Sequence, residues 1–114
     1  MSTHTATNIS GVDAIAAERA RQQTDEGYTR EYDAHLRPQV LIDAALAYTV
    51  QAQDQLSAAD GQGVGADSPE SYWPWELDSF RPNDDELRSL AKAGALLAAA
   101  YDCAVARRVQ MGEA

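Results

Sequence analysis

Three groups of residues in this chain have the types and spacing to do chemistry. The first lies near the N-terminus. Val12 and Ile15 begin a stripe at helical spacing, and the same stripe continues through Arg19, Gln22 and Glu26. One helix face therefore turns from apolar to polar halfway along. A charge taken out of water needs a partner, so this face implies either solvent or a polar pocket. A pocket lined by Arg19, Gln22 and Glu26 would suit an anionic or nucleotide-like ligand. Otherwise the helix end leaves the core, with Glu18–Gln22 and Arg21–Asp25 as surface pairs. The second group is Glu26, Glu31, Asp33 and His35. Carboxylates and an imidazole can hold Mg2+, Mn2+ or Zn2+, but this spacing fits no compact metal motif. Asp33 can instead cap a turn through its side chain. The third is Tyr72-Trp73-Pro74-Trp75, either a stacking platform or a lid of large rings over a small core. Lys92, the only lysine, reaches a phosphate or carboxylate, or forms a structural ion pair while its stem covers apolar surface.

The elements that must position these groups are helical. Ser10 with Asp13 three residues on reads as a cap, and the first helix runs to about Thr24, stopping near Gly27. Residues 28–37 read as a structured loop. Pro38 suits the first turn of a second helix, along which Val40, Leu41, Ala44, Ala45, Tyr48, Ala52 and Leu56 recur at helical spacing. Asp60 to Gly65 is a glycine-rich break. It lacks the Lys-Ser/Thr and the preceding strand of a phosphate loop. Two prolines, Pro74 and Pro82, interrupt helix through the aromatic stretch. Asn83 reads as the cap of a third helix, with Glu86 three residues on and Arg107 and Arg108 at its far end. Its expected inner stripe is Leu87, Leu90, Gly94, Leu97, Tyr101 and Ala104. Gly94 implies a close helix crossing. No segment alternates with period two.

The expected fold is thus all-α: one domain over residues 10–111, a tail over 1–9, and a loop over 60–82 before the third helix. Helices two and three form a long hairpin. Twenty-two of 114 residues are alanine and only 18 are Val, Ile or Leu, so the core is modest and a homodimer would bury more. Eighteen acids against nine bases give a net charge of −9, which argues against direct nucleic-acid binding and against an anionic membrane surface. One cysteine, Cys103, excludes an internal disulfide and a cysteine-based zinc site, and suits a reducing cytosol. Met1 to Asn8 lacks the pattern of a signal peptide. Only His4 and His35 are available, and neither has a nucleophile partner for covalent catalysis.

Glu18-Arg19-Ala20-Arg21-Gln22, Glu26-Gly27-Tyr28-Thr29 and Glu31-Tyr32-Asp33 resemble a run found in small uncharacterised phage and prophage proteins, roughly E-R-x-R-Q, E-G-W-T, E-H-D-D. The resemblance continues at Ala44–Tyr48, Trp73-Pro74-Trp75, Phe80-Arg81-Pro82 and Leu90 to Leu96. It spans about residues 14–105 without the glycine loop. It implies a phage accessory protein in the host cytoplasm, possible counter-defence work included, and no stated activity. Tyr32 and Ala34 stand where that run has His and its second Asp, which removes two metal ligands. The helical nucleotide pyrophosphohydrolases that resemble MazG carry paired glutamates. Here helix two has only Asp43 and Asp54, and helix three Glu86 and Asp102, so the likeness is one of fold class alone.

Three functions follow as expectations. The first is non-enzymatic binding of a nucleotide-like or signalling ligand by Arg19, Gln22 and Glu26, closed by Trp73, Trp75 and Lys92. The second is metal-dependent nucleotide hydrolysis through Glu18, Glu26, Glu31 and Asp33. The third is an acidic inhibitor steered onto a basic host protein. The sequence names no cofactor.

Overall fold

The computed structural model describes residues 9–25 and 37–112. Three α-helices carry the fold: α1 (Gly11–Asp25), α2 (Pro38–Ala59) and α3 (Glu86–Gln110), with two single 3-10 turns, Pro69–Tyr72 and Leu77–Ser79, between α2 and α3. The described residues contain no strand. This is the all-α, three-helix domain that the periodicity predicts.

Local chemistry sets most of the boundaries. The Ser10 hydroxyl accepts from the Asp13 amide at 3.1 Å and starts α1. Pro38 occupies the first turn of α2, where its missing N–H is no loss. Gly61, at φ +78°, closes α2: the Gln62 amide reaches back to the Ser57 carbonyl and Gly61 to Ala58. The glycine stretch therefore begins as a helix stop, and Asp54 on α2 then holds it by accepting from the Gly65 amide at 3.1 Å.

The start of α3 differs from the expectation. Asp85, not Asn83, is the N-cap, and its carboxylate accepts from the Leu87 amide at 3.0 Å. Asn83 acts one step earlier, accepting from the Asp85 amide at 2.8 Å. Asp85 is the residue left with extended backbone immediately before the helix, so its side chain meets the first orphan amides.

The packing of α3 corrects a larger expectation. The stripe Leu87, Leu90, Leu97, Tyr101 and Ala104 is exposed, and Gly94 is half-buried. The buried face is the opposite one, Ala93, Leu96, Ala99, Ala100 and Cys103, set against Leu41, Ala44, Ala45 and Tyr48 of α2. Small side chains let the α2 and α3 backbones approach closely, and dense contact then replaces bulk. The α2–α3 hairpin is the main seam of the molecule. Phe80 is buried in the same cluster, with Tyr72, Trp73 and Trp75 against its edge.

Helix α1 lies on α3 at Gly94, as the glycine predicts. A Cβ on Gly94 would sit 2.5 Å from Ile15 Cδ1 and 2.6 Å from Cγ1. Ile15 is partly buried, but Val12 is 77% exposed and does not face inward. The buried residues of α1 lie in its second half and are Glu18, Arg19 and Gln22.

Both faces of α3 being apolar, the helix is long and apolar enough, by length and composition alone, to cross a membrane; 44% of the apolar window is buried inside this fold.

Candidate functional site

A polar network ties the loop before α3 to the hairpin. Ser89 is fully buried on α3, and its hydroxyl meets Gln55 Oε1 at 2.9 Å and Gln51 Oε1 at 3.2 Å on α2. The amide groups of Gln51 and Gln55 donate to the Asn83 carbonyl. Neither glutamine was singled out from the sequence, although both fall beside the Tyr48, Ala52 and Leu56 stripe at helical spacing.

Two residues before Asn83, the loop is fastened again at Arg81. Its backbone amide donates to the Tyr48 hydroxyl at 3.0 Å. Its carbonyl accepts from the Tyr48 hydroxyl at 3.2 Å and from Lys92 Nζ at 3.0 Å. The Lys92 ammonium also lies 5.0 Å from the centre of the Tyr48 ring, within cation–π range. Lys92 is buried to 6% exposure, which its polar partners and the ring make tolerable.

The aromatic stretch packs as a cluster around this point. Trp73 meets Tyr48 edge-on at 5.7 Å, Phe80 at a tilt at 5.0 Å and Trp75 edge-on at 5.2 Å. The Trp73 indole N–H faces the Glu76 carbonyl at 3.1 Å and the Ser79 hydroxyl at 3.0 Å. These contacts join the loop to the core, and ring packing of this kind adds to area burial.

A cleft of about 20 Å³ opens where α1 passes this cluster. Arg21, Gln22, Tyr48, Trp73, Ser79, Arg81, Lys92 and Leu96 line it. Of the residues expected to hold a ligand, Gln22, Trp73 and Lys92 meet here. Arg19 does not join them. Its guanidinium turns to α3 and pairs with Asp102 at 3.2 Å. Trp75 reaches the cleft only through Trp73. Glu26 lies outside the described residues, as do Glu31, Asp33 and His35. Among the described residues no group of three or more His, Cys, Asp or Glu is placed to hold a metal ion.

Arg21 and Arg81 enter the site unforeseen. Arg21 follows Gln22's face because adjacent positions on a helix are about 100° apart, so a wide cleft takes both. It pairs with Glu18, Nε to Oε2 at 2.9 Å, in place of the Glu18–Gln22 and Arg21–Asp25 pairs that spacing allows. Arg81 comes from the loop, where its guanidinium donates to the Asp78 carbonyl and helps fix the turn. Arg21, Arg81 and Lys92 all line the cleft, and Glu18, the partner of Arg21, lies beside it.

Gln22 is the unusual member. It is only 3% exposed, and its side-chain oxygen is buried without a hydrogen-bond partner. Such a group costs about 1–3 kcal/mol of desolvation that no hydrogen bond among the described residues returns.

No family model matches the sequence, and neither the curated proteins nor the solved structures give a match.

Proposed function

We propose that this chain is a non-catalytic binding protein whose ligand is anionic and nucleotide-like. The observation that carries this reading is the buried side-chain oxygen of Gln22, without a hydrogen-bond partner, in a cleft shared with Lys92, Arg21 and Arg81. An amide offers one edge that both donates and accepts, which is how glutamine reads a base. Arginine and lysine supply the charge complement to phosphate oxygens. The cleft is sized for a water molecule or one small ligand group, and the Gln22 oxygen calls for a donor there, a hydroxyl or amino group, with the anionic part held at the cations beside it. The bulk of the ligand therefore lies outside it, across the exposed Arg81 and the half-buried Trp73. We place this binding in an infected cell, following the motif resemblance to phage and prophage proteins read from the sequence; capture of a host nucleotide or nucleotide signal needs no catalyst.

The test is thermal unfolding with inorganic phosphate, nucleoside monophosphates and nucleoside triphosphates, with and without Mg2+. A ligand at 100 times its Kd stabilises by about 2.7 kcal/mol through linkage. Gln22→Leu keeps the volume and removes the amide. It is expected to raise the unliganded melting temperature, worth about 1 kcal/mol, and to abolish the ligand-induced shift. A wild-type protein that responds to none of these compounds, or a Gln22→Leu variant that keeps the full response, refutes the reading. Phosphate released in the presence of Mg2+ would move the assignment to hydrolysis.

A further inference from the structure

We propose that the outer face of α3 is the contact surface for a second copy of this chain, joined about a two-fold axis near Tyr101. Leu97, Tyr101, Val105 and Val109 stand four residues apart on α3, and all are exposed. They form one i±4 ridge along the helix. Ridges of this kind pack into the grooves of an identical helix in the commonest class of helix crossing. Ala98 and Ala104 beside the ridge are small enough to let a second backbone approach. A two-fold contact needs a self-complementary surface, and a ridge flanked by small residues supplies both halves.

The area is of the right size. With Leu90 and Met111 at its ends, the ridge exposes about 650 Å² of mostly apolar side chain, against about 800 Å² from each partner of a standard interface. The remainder can come from the stem of Arg108, at the margin of the ridge. Tyr101, 72% exposed, is the largest single contributor and has the residue type favoured at the centre of interfaces. Among the described residues α1 approaches this side of α3, at Gly94 and through the Arg19–Asp102 pair, and the ridge itself stays exposed.

Charge separates this occupant from the others. Two chains of net charge −9 repel, and salt screens that repulsion, so an apolar two-fold contact tightens as salt rises. A basic protein partner would bind by the opposite dependence.

Sedimentation equilibrium over a range of protein concentration measures the contact. The expected result is a monomer–dimer equilibrium whose Kd falls between low salt and about 0.5 M NaCl. Tyr101→Glu is expected to raise that Kd at least about tenfold while leaving helical circular dichroism unchanged, because Tyr101 makes no part of the monomer core. A Tyr101→Cys variant is expected to cross-link to a covalent dimer under mild oxidation, whereas native Cys103 is buried and does not. A wild-type chain that stays monomeric at the highest concentration overturns the proposal. So does a dimer that Tyr101→Glu leaves intact, or one that salt dissociates. A monomer that partitions into vesicles of phosphatidylcholine with phosphatidylglycerol also overturns it, assigning the face to lipid.

Discussion

The two faces of α3 are built on opposite rules. Toward α2 the helix presents Ala93, Ala99, Ala100 and Cys103 around one leucine, and all are buried. Toward α1 and solvent it presents Leu87, Leu90, Leu97 and Tyr101, and all are exposed. Hydrophobic bulk thus does not mark the core of this protein. Closeness of approach does, because dispersion contacts fall off steeply with a gap and small side chains remove the gap. The α1 side follows a looser rule. It has a close contact at Gly94, the Arg19–Asp102 ion pair, and an apolar groove of about 300 Å³ between Ile9, Ala14, Ile15, Leu87 and Leu90.

Leu96 and Leu97 give the largest contrast, since they are neighbours in sequence with the same side chain on opposite faces. Leu96 is 2% exposed and Leu97 is 49% exposed. Leu96→Ala is expected to destabilise by about 3 kcal/mol through lost burial and a cavity. Leu97→Ala is expected to change the monomer by less than about 0.5 kcal/mol. Denaturant unfolding at low protein concentration measures both, and equal losses would dissolve the distinction between the faces.

Gly94→Ala sharpens the α1 seam. The new methyl meets Ile15, so the variant is expected to lose about 1–2 kcal/mol despite the better helix propensity of alanine. Combined with Ile15→Ala the clash disappears, and the double variant should be less unstable than the sum of the two singles. Strict additivity would show that α1 shifts freely on α3, and that the seam is softer than the one with α2.

The smallest effect is a titration in the loop. The Tyr72 hydroxyl donates to Asp67 at 2.9 Å, and that bond, with the nearby carboxylate charge, raises the phenol above its usual 10.0. A raised folded-state value means that the contact stabilises the fold below pH about 10 and is lost as pH rises through the folded value. Asp67→Asn is expected to bring the ultraviolet titration of Tyr72 back toward the usual range. An unchanged titration would remove Asp67 as the cause.

Much of the fold was legible because local rules set it. Ser10, Pro38, Gly61 and the arginines at 107 and 108 each act within one helical turn, where the interaction is fixed by spacing. The polar turn of α1 was legible too, and Glu18, Arg19 and Gln22 are buried there. The site was legible only in part. Gln22, Trp73 and Lys92 converge, but Arg19 finds Asp102, 83 positions away, and Arg81 arrives from a loop. A side chain's partner depends on which helix lies across from it, and spacing within one helix carries no information on that.

By itself the sequence determined that the chain is helical, where two of its three helices begin, and that a close crossing occurs at Gly94. The tertiary structure decided which face of α3 is the core and which polar residues share a cleft. The physical reason is that periodicity reports only that a face is apolar. When a helix is apolar on two faces, the choice between them rests on how closely the neighbouring backbone can come, and that distance exists only once the helices are packed.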